Sequence, residues 1–398
     1  MPADATTTSV RAAVSHRRFW APTRVRTGRG TRLPAGLLGM LALVVAVETR
    51  VAAGWERVTD PVAFSWRWSA EAAGSLAPGR RVLCVGDSLT KHGLVPGVIE
   101  AESGLSAVNL ASAAGPAPWT YFVLRRAYDA GARPDAVVIN FKPSVLAGGP
   151  KYQARDWPEV LDARETVELL RAAGGGSFAA SLIVGKLLPS VRARHDLRDN
   201  IARALRGEPS RLGLLNAICR RNWSRHDGAN LAMIRPGYDG SVSAEQHAAL
   251  LSDRFYVHKV NAVFARRAIG LATARGAKVF LVIPPMVPEV TERRARSGSE
   301  SGFTEFVAGL RREFPDLSVV DARGSRYPAG AFVDATHLNR RGSVALSVET
   351  ARVLRVALDT PGGASEWHHL PTYRERPDPV PLEDAEQSRI ALGLVWPS

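Results

Sequence analysis

The chain is poor in cysteine, with only Cys84 and Cys219 among its 398 residues. Cys84 lies inside an apolar segment, so we expect it to be a small buried hydrophobe rather than half of a disulfide. No group of cysteines and histidines has the spacing of a metal site, and we therefore predict no structural zinc or other metal, and no cofactor.

The whole chain has a formal net charge of +14, and acidic residues are especially scarce at its amino terminus. Residues 1–32 hold seven arginines and a single acid, Asp4. Neither an aromatic-studded basic patch nor a known nucleic-acid-binding motif accompanies these arginines, so we predict no nucleic-acid partner.

An apolar run follows the basic head over residues 33–47, shorter than the roughly 20 residues that usually span a bilayer. Continuing past Glu48 and Arg50 lengthens it to residue 53. We predict a transmembrane anchor over 33–53, with the positive head in the cytoplasm and the body exported. A cleaved signal peptide, with small residues at Ala46 and Ala52, is the close alternative. A soluble protein with a disordered basic arm is the third possibility.

Beyond residue 80, apolar runs of strand length alternate with helical stretches. Such alternation predicts an α/β fold, which we take to be a flavodoxin-like three-layer α/β/α arrangement with a mostly parallel five-stranded sheet. The predicted strands are 82–85, 107–110, 136–141, 278–283 and 317–320, and the main helices are 121–130, 257–275, 303–314 and 341–358. We expect 54–79 to be a connector, 80–360 the catalytic domain with a helical insertion at 144–250, and 361–398 a poorly ordered tail.

Two short motifs carry the chemistry. Gly86-Asp87-Ser88-Leu89 follows the first strand, and a serine at a sharp strand-to-helix turn is where a hydrolase holds its nucleophile. Near the other end, Asp334 and His337 are three residues apart, so His337 can act as the base for Ser88 and Asp334 can orient its imidazole. The alternative is that Asp334 caps a helix and His337 lies at the surface.

These two motifs resemble the first and last sequence blocks of the SGNH (GDSL-type) hydrolase superfamily, and the similarity covers roughly residues 80–358. The resemblance implies a Ser-His-Asp hydrolase whose oxyanion hole uses the Ser88 backbone N–H and that of Gly115, the matching glycine of the second block. An ordinary turn glycine is the other interpretation of Gly115. The third block, Gly-x-Asn-Asp, is missing, and Asn140, the nearest carboxamide, is the candidate for the oxyanion donor that this block would supply. In this departure the chain is similar to membrane-anchored SGNH-like proteins that decorate cell-surface polymers, such as those of alginate acetylation and teichoic-acid alanylation.

We therefore predict an extracytoplasmic serine esterase that removes an acyl group, such as acetyl, from a carbohydrate or lipid ester. We assign Asp87 and Met286 to substrate binding, since Met286 follows the Pro284-Pro285 pair that ends a strand. An O-acyltransferase that modifies a cell-surface polysaccharide is one alternative. A catalytically silent polymer-binding protein is the other, because one oxyanion motif is missing.

The insertion is expected to be a lid over Ser88. Its arginines at 192, 194, 198, 203 and 206 partly share one helical face, which suits an anionic polymer or lipid headgroups. A solvated helix with local ion pairs to Asp196 and Asp199 is the alternative.

Overall fold

A six-stranded parallel sheet forms the centre of the protein, whose computed structural model describes residues 35–244, 246, 254–360 and 365–394. The strand order is β2-β1-β3-β4-β5-β6, and each neighbouring pair is parallel. The strands are β1 (Val82–Val85), β2 (Ala107–Asn109), β3 (Ala136–Ile139), β4 (Lys278–Ile283), β5 (Leu317–Asp321) and β6 (Trp367–His369). The predicted α/β class and the parallel sheet are confirmed, and the sixth strand corrects the predicted number.

Both faces of the sheet are covered, because successive side chains of each strand point to opposite sides. In β1, Leu83 and Val85 belong to one buried cluster, and Val82 and Cys84 belong to the other. The first cluster is covered by α2 (Pro61–Ser75), α5 (Ala117–Asp129), α13 (Lys259–Ala274) and α15 (Ser299–Glu313). The second is covered by α4 (Pro96–Ser103), α14 (Pro288–Arg296) and α16 (Arg340–Asp359).

Two helices of the insertion between β3 and β4 pack against α2. Among the residues that the structure describes, the helices of the insertion include α6 (Pro143–Ala147), α7 (Trp157–Val160), α8 (Ala163–Ala173), α9 (Gly176–Leu187), α10 (Pro189–Arg192), α11 (Arg194–Leu205) and α12 (Arg211–Arg225). Trp157 meets Trp66 of α2 edge-to-face with ring centroids 4.7 Å apart, and Trp223 lies 5.3 Å from Phe64. These aromatic contacts hold α7 and α12 on α2, so this part of the insertion covers one layer of the fold.

Two segments at the ends of the domain are more ordered than the sequence predicts. Residues 54–79 were expected to be a connector, but they contain α2, whose Phe64 and Trp66 are fully buried because they pack against the insertion and α5. The tail was expected to be poorly ordered, yet its described part contributes β6 and α17 (Ala385–Ala391). Backbone pairing with β5 orders β6, and an ion pair between Glu383 and Arg221 holds the segment before α17.

An apolar helix, α1 (Ala35–Ala53), precedes this domain. Its 19 residues have a mean hydropathy of 1.8 and none is buried, so it is long and apolar enough to span a membrane or to serve as a signal sequence. The compact unit that contains the sheet begins at Val47. The basic head predicted at 1–32 lies outside the described residues.

Candidate active site

Ser88 lies just beyond the carboxyl end of β1, between β2 and β3, where parallel α/β sheets bind their ligands. Gly86 makes the turn with a φ of 136°, and a Cβ at this position would lie 2.6 Å from the carbonyl oxygen of Asn140. Only glycine fits such a backbone. Asp87 caps the next helix, α3 (Ser88–Gly93), so Ser88 is its first residue and is 9% exposed.

His337 and Asp334 meet Ser88 from the segment before α16. Nε2 of His337 lies 2.8 Å from Oγ of Ser88, and Nδ1 of His337 lies 2.8 Å from Oδ2 of Asp334. A tight turn positions this pair, since the amide of Val333 donates to the carbonyl of His337 at 2.9 Å. The structure thus brings together the three residues that the sequence predicts as a triad, from positions 249 residues apart.

The hydrogen bond to Asp334 fixes the tautomer of His337. Burial raises the pKa of this carboxyl, but hydrogen bonds from the His337 side chain and from the amides of Thr336 and His337 outweigh burial and hold the pKa well below its usual range. The ionised Asp334 accepts a hydrogen bond from the Nδ1–H of His337, which keeps the proton on Nδ1. Nε2 is therefore left to accept the hydroxyl proton of Ser88.

The carboxylate of Asp87, which the sequence assigned to substrate binding, is engaged within the fold. This carboxylate is fully buried and accepts hydrogen bonds from the amides of Leu89 at 2.9 Å and Lys142 at 2.5 Å. Burial raises the pKa of Asp87 to about 6. The hydrogen bonds from the two backbone amides and the positive charge of Lys142 oppose that rise. Asp87 therefore joins the turn after β1 to the loop after β3.

The predicted oxyanion donors differ in whether their N–H groups already have an acceptor. The N–H of Gly115 donates to the carbonyl of Ser112 at 3.1 Å, so this glycine closes a turn and its predicted role is not met. Its neighbour Ala114 has a left-handed φ of 50°, and within the described part of the chain the amides of Ala114 and Ser88 have no acceptor. Asn140 Nδ2 gives one hydrogen bond to the carbonyl of Val282 at 3.1 Å, which leaves one N–H.

Lys142 is a site residue that the sequence motifs did not reveal. It is 8% exposed, and its Nζ lies 3.2 Å from Oγ1 of Thr336, which in turn lies 3.4 Å from Oδ1 of Asp334. Burial lowers the pKa of Lys142, while the negative charges of Asp87 and Asp334 oppose this effect. The Nζ of Lys142, two residues beyond Asn140, thus reaches Asp334 through the hydroxyl of Thr336.

His92 is a second residue that was missed. Its ring stands 4.8 Å from that of His337, and its Nε2 lies 2.9 Å from Nδ2 of Asn230. Burial, followed by the charge of His337, holds the pKa of His92 well below its usual range, so this ring is neutral. The available signal was its position four residues after Ser88, which places it one turn further along the same helix.

A narrow cleft lies beside the start of α3 and the loop that follows β3. Leu89, Asn140, Phe141 and Met286 are among its lining residues, which agrees with the expected position of Met286 in a pocket. Oδ1 of Asn140 is buried and, among the described residues, without a hydrogen-bond partner. The cleft is mainly apolar, and its polar lining residues are Asn140, Thr291 and an ion-paired group formed by Arg294, Glu300 and Arg323.

A wider and more polar groove of about 1250 Å³ borders Asp334 on the exposed side. The loop that ends the insertion lines it with Arg235, Tyr238, Asp239 and Gln246. Nη1 of Arg235 donates to the carbonyl of Val333 at 3.4 Å, which ties this loop to the turn that carries Asp334. The site thus has a narrow apolar space and an open polar one.

No model of a known protein family matches the chain, and no curated protein matches its sequence.

Proposed function

We propose that the protein is a serine esterase of the SGNH type that cleaves a short acyl group from a carbohydrate or lipid ester outside the cytoplasm. The observation that carries this proposal is the hydrogen-bonded chain from Ser88 through His337 to Asp334, with two contacts of 2.8 Å. A serine paired with a base that a carboxylate orients is the arrangement that makes a hydroxyl nucleophilic.

In the first half of the reaction, Oγ of Ser88 attacks the ester carbonyl while Nε2 of His337 takes the hydroxyl proton. The negative charge on the former carbonyl oxygen is stabilised by the amides of Ser88 and Ala114, which have no other acceptor among the described residues, and by the remaining N–H of Asn140. The carbon–oxygen ester bond then breaks, and the leaving alkoxide takes the proton from His337. The acyl group is now bound to Ser88.

In the second half, a water molecule attacks the acyl carbonyl and gives its proton to Nε2 of His337. The bond to Oγ of Ser88 breaks, Oγ takes the proton back, and the carboxylic acid leaves. Asp334 stays ionised throughout and stabilises the imidazolium that forms twice in the cycle. The neutral ring of His92 beside His337 adds no second positive charge next to that imidazolium.

The two spaces around the triad suggest which part of the ester lies where. The apolar cleft next to Leu89 and Met286 suits a short acyl chain, and the polar groove beside Asp334 suits the alcohol. Tyr238 with neighbouring charged and amide side chains offers the mixture of ring surface and hydrogen-bonding groups that a sugar needs. The same groove supports a second candidate, an O-acyltransferase in which a sugar hydroxyl replaces water.

We propose that α1 tethers the enzyme to a membrane. The positive head before α1 favours a cytoplasmic amino terminus, so the body with Ser88 would lie on the other side. Extraction of membranes with alkaline carbonate checks this part, since a tethered chain stays with the lipid and a cleaved product does not.

Ester hydrolysis by the detergent-solubilised full chain tests the enzymatic proposal. We expect hydrolysis of p-nitrophenyl acetate and of an O-acetylated sugar, and loss of at least ~10³-fold in kcat for Ser88→Ala and for His337→Ala. Ser75→Ala is the matched control, because Ser75 is exposed and bonded only to its own helix. Equal rates for all of these proteins would refute the proposal. Added free sugar that becomes acetylated at the expense of free acetate would identify the transferase.

A further inference from the structure

Three consecutive helices of the insertion, α9–α11, expose large apolar side chains. Ile183 and Leu187 of α9 are 54% and 71% exposed, and Ile201 and Leu205 of α11 are 59% and 84% exposed. The other side of α9 is buried through Phe178 and Leu182, so this helix is apolar on both its inner and its outer face. Clustered apolar exposure of this kind typically marks an interaction surface.

The outer face of α11 combines apolar and basic residues. Arg194, Arg198, Ile201 and Leu205 are spaced so that they follow one side of the helix. In the part of the chain that the structure describes, Arg194 and Arg198 make no ion pair, whereas Arg206 is paired with Glu208. Two exposed guanidinium groups beside exposed aliphatic chains fit a bilayer with anionic headgroups better than they fit an apolar protein surface.

The contacts of α10 and α11 place them beside the segment that follows the apolar helix. The carboxylate of Glu48, in the last turns of α1, accepts hydrogen bonds from the amide and the hydroxyl of Ser190. The carbonyl of Arg57 accepts hydrogen bonds from Asn200 of α11 and from Ser210, both at 2.8 Å. If α1 spans a membrane, connectivity keeps residues 54–57 at the bilayer surface, and these contacts keep α10 and α11 there too.

We propose that α9–α11 form a lipid-binding surface that lies in the headgroup region of a bilayer containing anionic lipids. This inference rests on the proposed function only in its membrane tether, and it does not depend on ester chemistry. Ile183, Leu187, Ile201 and Leu205 insert among the upper acyl segments, and Arg194 and Arg198 meet lipid phosphates. The surface gives the body a second contact with the membrane and so fixes its orientation there.

Fluorescent labelling of the full chain in vesicles tests this surface. An environment-sensitive probe is attached to Leu187→Cys or Leu205→Cys in a Cys219→Ser background, since Cys84 is buried. Val356→Cys is the matched control, because Val356 is 62% exposed on α16, which covers the opposite layer. We expect blue-shifted emission and quenching by spin-labelled lipid at 187 and 205, and neither at 356. Arg194→Gln with Arg198→Gln should reduce the quenching in phosphatidylglycerol vesicles more than in pure phosphatidylcholine.

Each outcome of this experiment either supports or overturns the proposed lipid-binding surface. Probes at 187 and 205 that behave like the probe at 356 overturn it, whether or not the chain resists carbonate extraction. Blue-shifted emission without lipid quenching, which grows with protein density, indicates a second copy of this chain on the surface and also overturns it. Lipid quenching in a chain that carbonate extracts supports the surface and refutes the tether. Ester hydrolysis, measured on the same samples, reports separately on the proposed reaction.

Discussion

Replacing Asp334 with asparagine separates the role of the triad from the fold around it. Oδ1 of Asp334 accepts two backbone hydrogen bonds at 2.9 Å, from Thr336 and His337, and the asparagine oxygen can keep both. Only Oδ2 changes, to an amide that donates instead of accepting. Nδ1 of His337 must then give up its proton, which moves to Nε2, and the base that faces Ser88 is lost.

The expected cost of Asp334→Asn is a fall of ~10⁴-fold in kcat, the size known for the equivalent change in serine proteases. That fall corresponds to about 5.4 kcal/mol of transition-state stabilisation. Initial rates on p-nitrophenyl acetate, with circular dichroism to check folding, measure it. Asp378→Asn is the control, because this carboxylate is also ion-paired but lies against Arg340. A rate within tenfold of the parent protein would refute the proposed role of Asp334.

Three further predictions concern groups around the triad. Lys142→Met should lower kcat about tenfold, because it removes a charged hydrogen bond that supports Asp334 through Thr336, and Lys142→Arg should recover part of the loss. Met286→Phe narrows the apolar cleft and should reduce hydrolysis of a butyrate ester about tenfold more than that of an acetate ester. Burial lowers the pKa of Lys91 to about 7 in the folded protein. Between about pH 7 and 10, Lys91 is therefore protonated more fully in the unfolded chain than in the folded one. This difference makes the free energy of unfolding rise with pH over that range. Lys91→Met should flatten that rise in urea unfolding midpoints, and an unchanged slope would contradict it.

The sequence predicts the sheet well because its inner strands are fully buried. Segments such as 82–85 and 136–139 are continuous apolar runs, which mark buried parallel strands. The edge strand β6 has no such signal, since Trp367, His368 and His369 are half-buried or exposed and are held by backbone pairing with β5. Aromatic packing between α2 and the insertion could not be predicted from the sequence, because it joins residues such as Trp66 and Trp157 that are far apart in the chain.

The same contrast holds in the candidate site. Ser88, Asp334 and His337 could be found because each belongs to a short motif with a chemical reason for its spacing. The donor role of Gly115 could not be judged, since it depends on whether its N–H is already bonded within a turn. Lys142 and His92 carry no motif, and only the fold shows that their side chains lie beside Asp334 and His337.

Labelling with a fluorophosphonate is the most direct test of the central claim, because the reagent reacts with a serine only when a base activates it. The full chain is treated in detergent, digested and mapped by mass spectrometry, beside Ser88→Ala and His337→Ala. We expect the adduct to form on Ser88 of the parent protein and to be absent from both variants. A folded parent protein that stays unlabelled, or His337→Ala labelled at the parent rate, would contradict that claim.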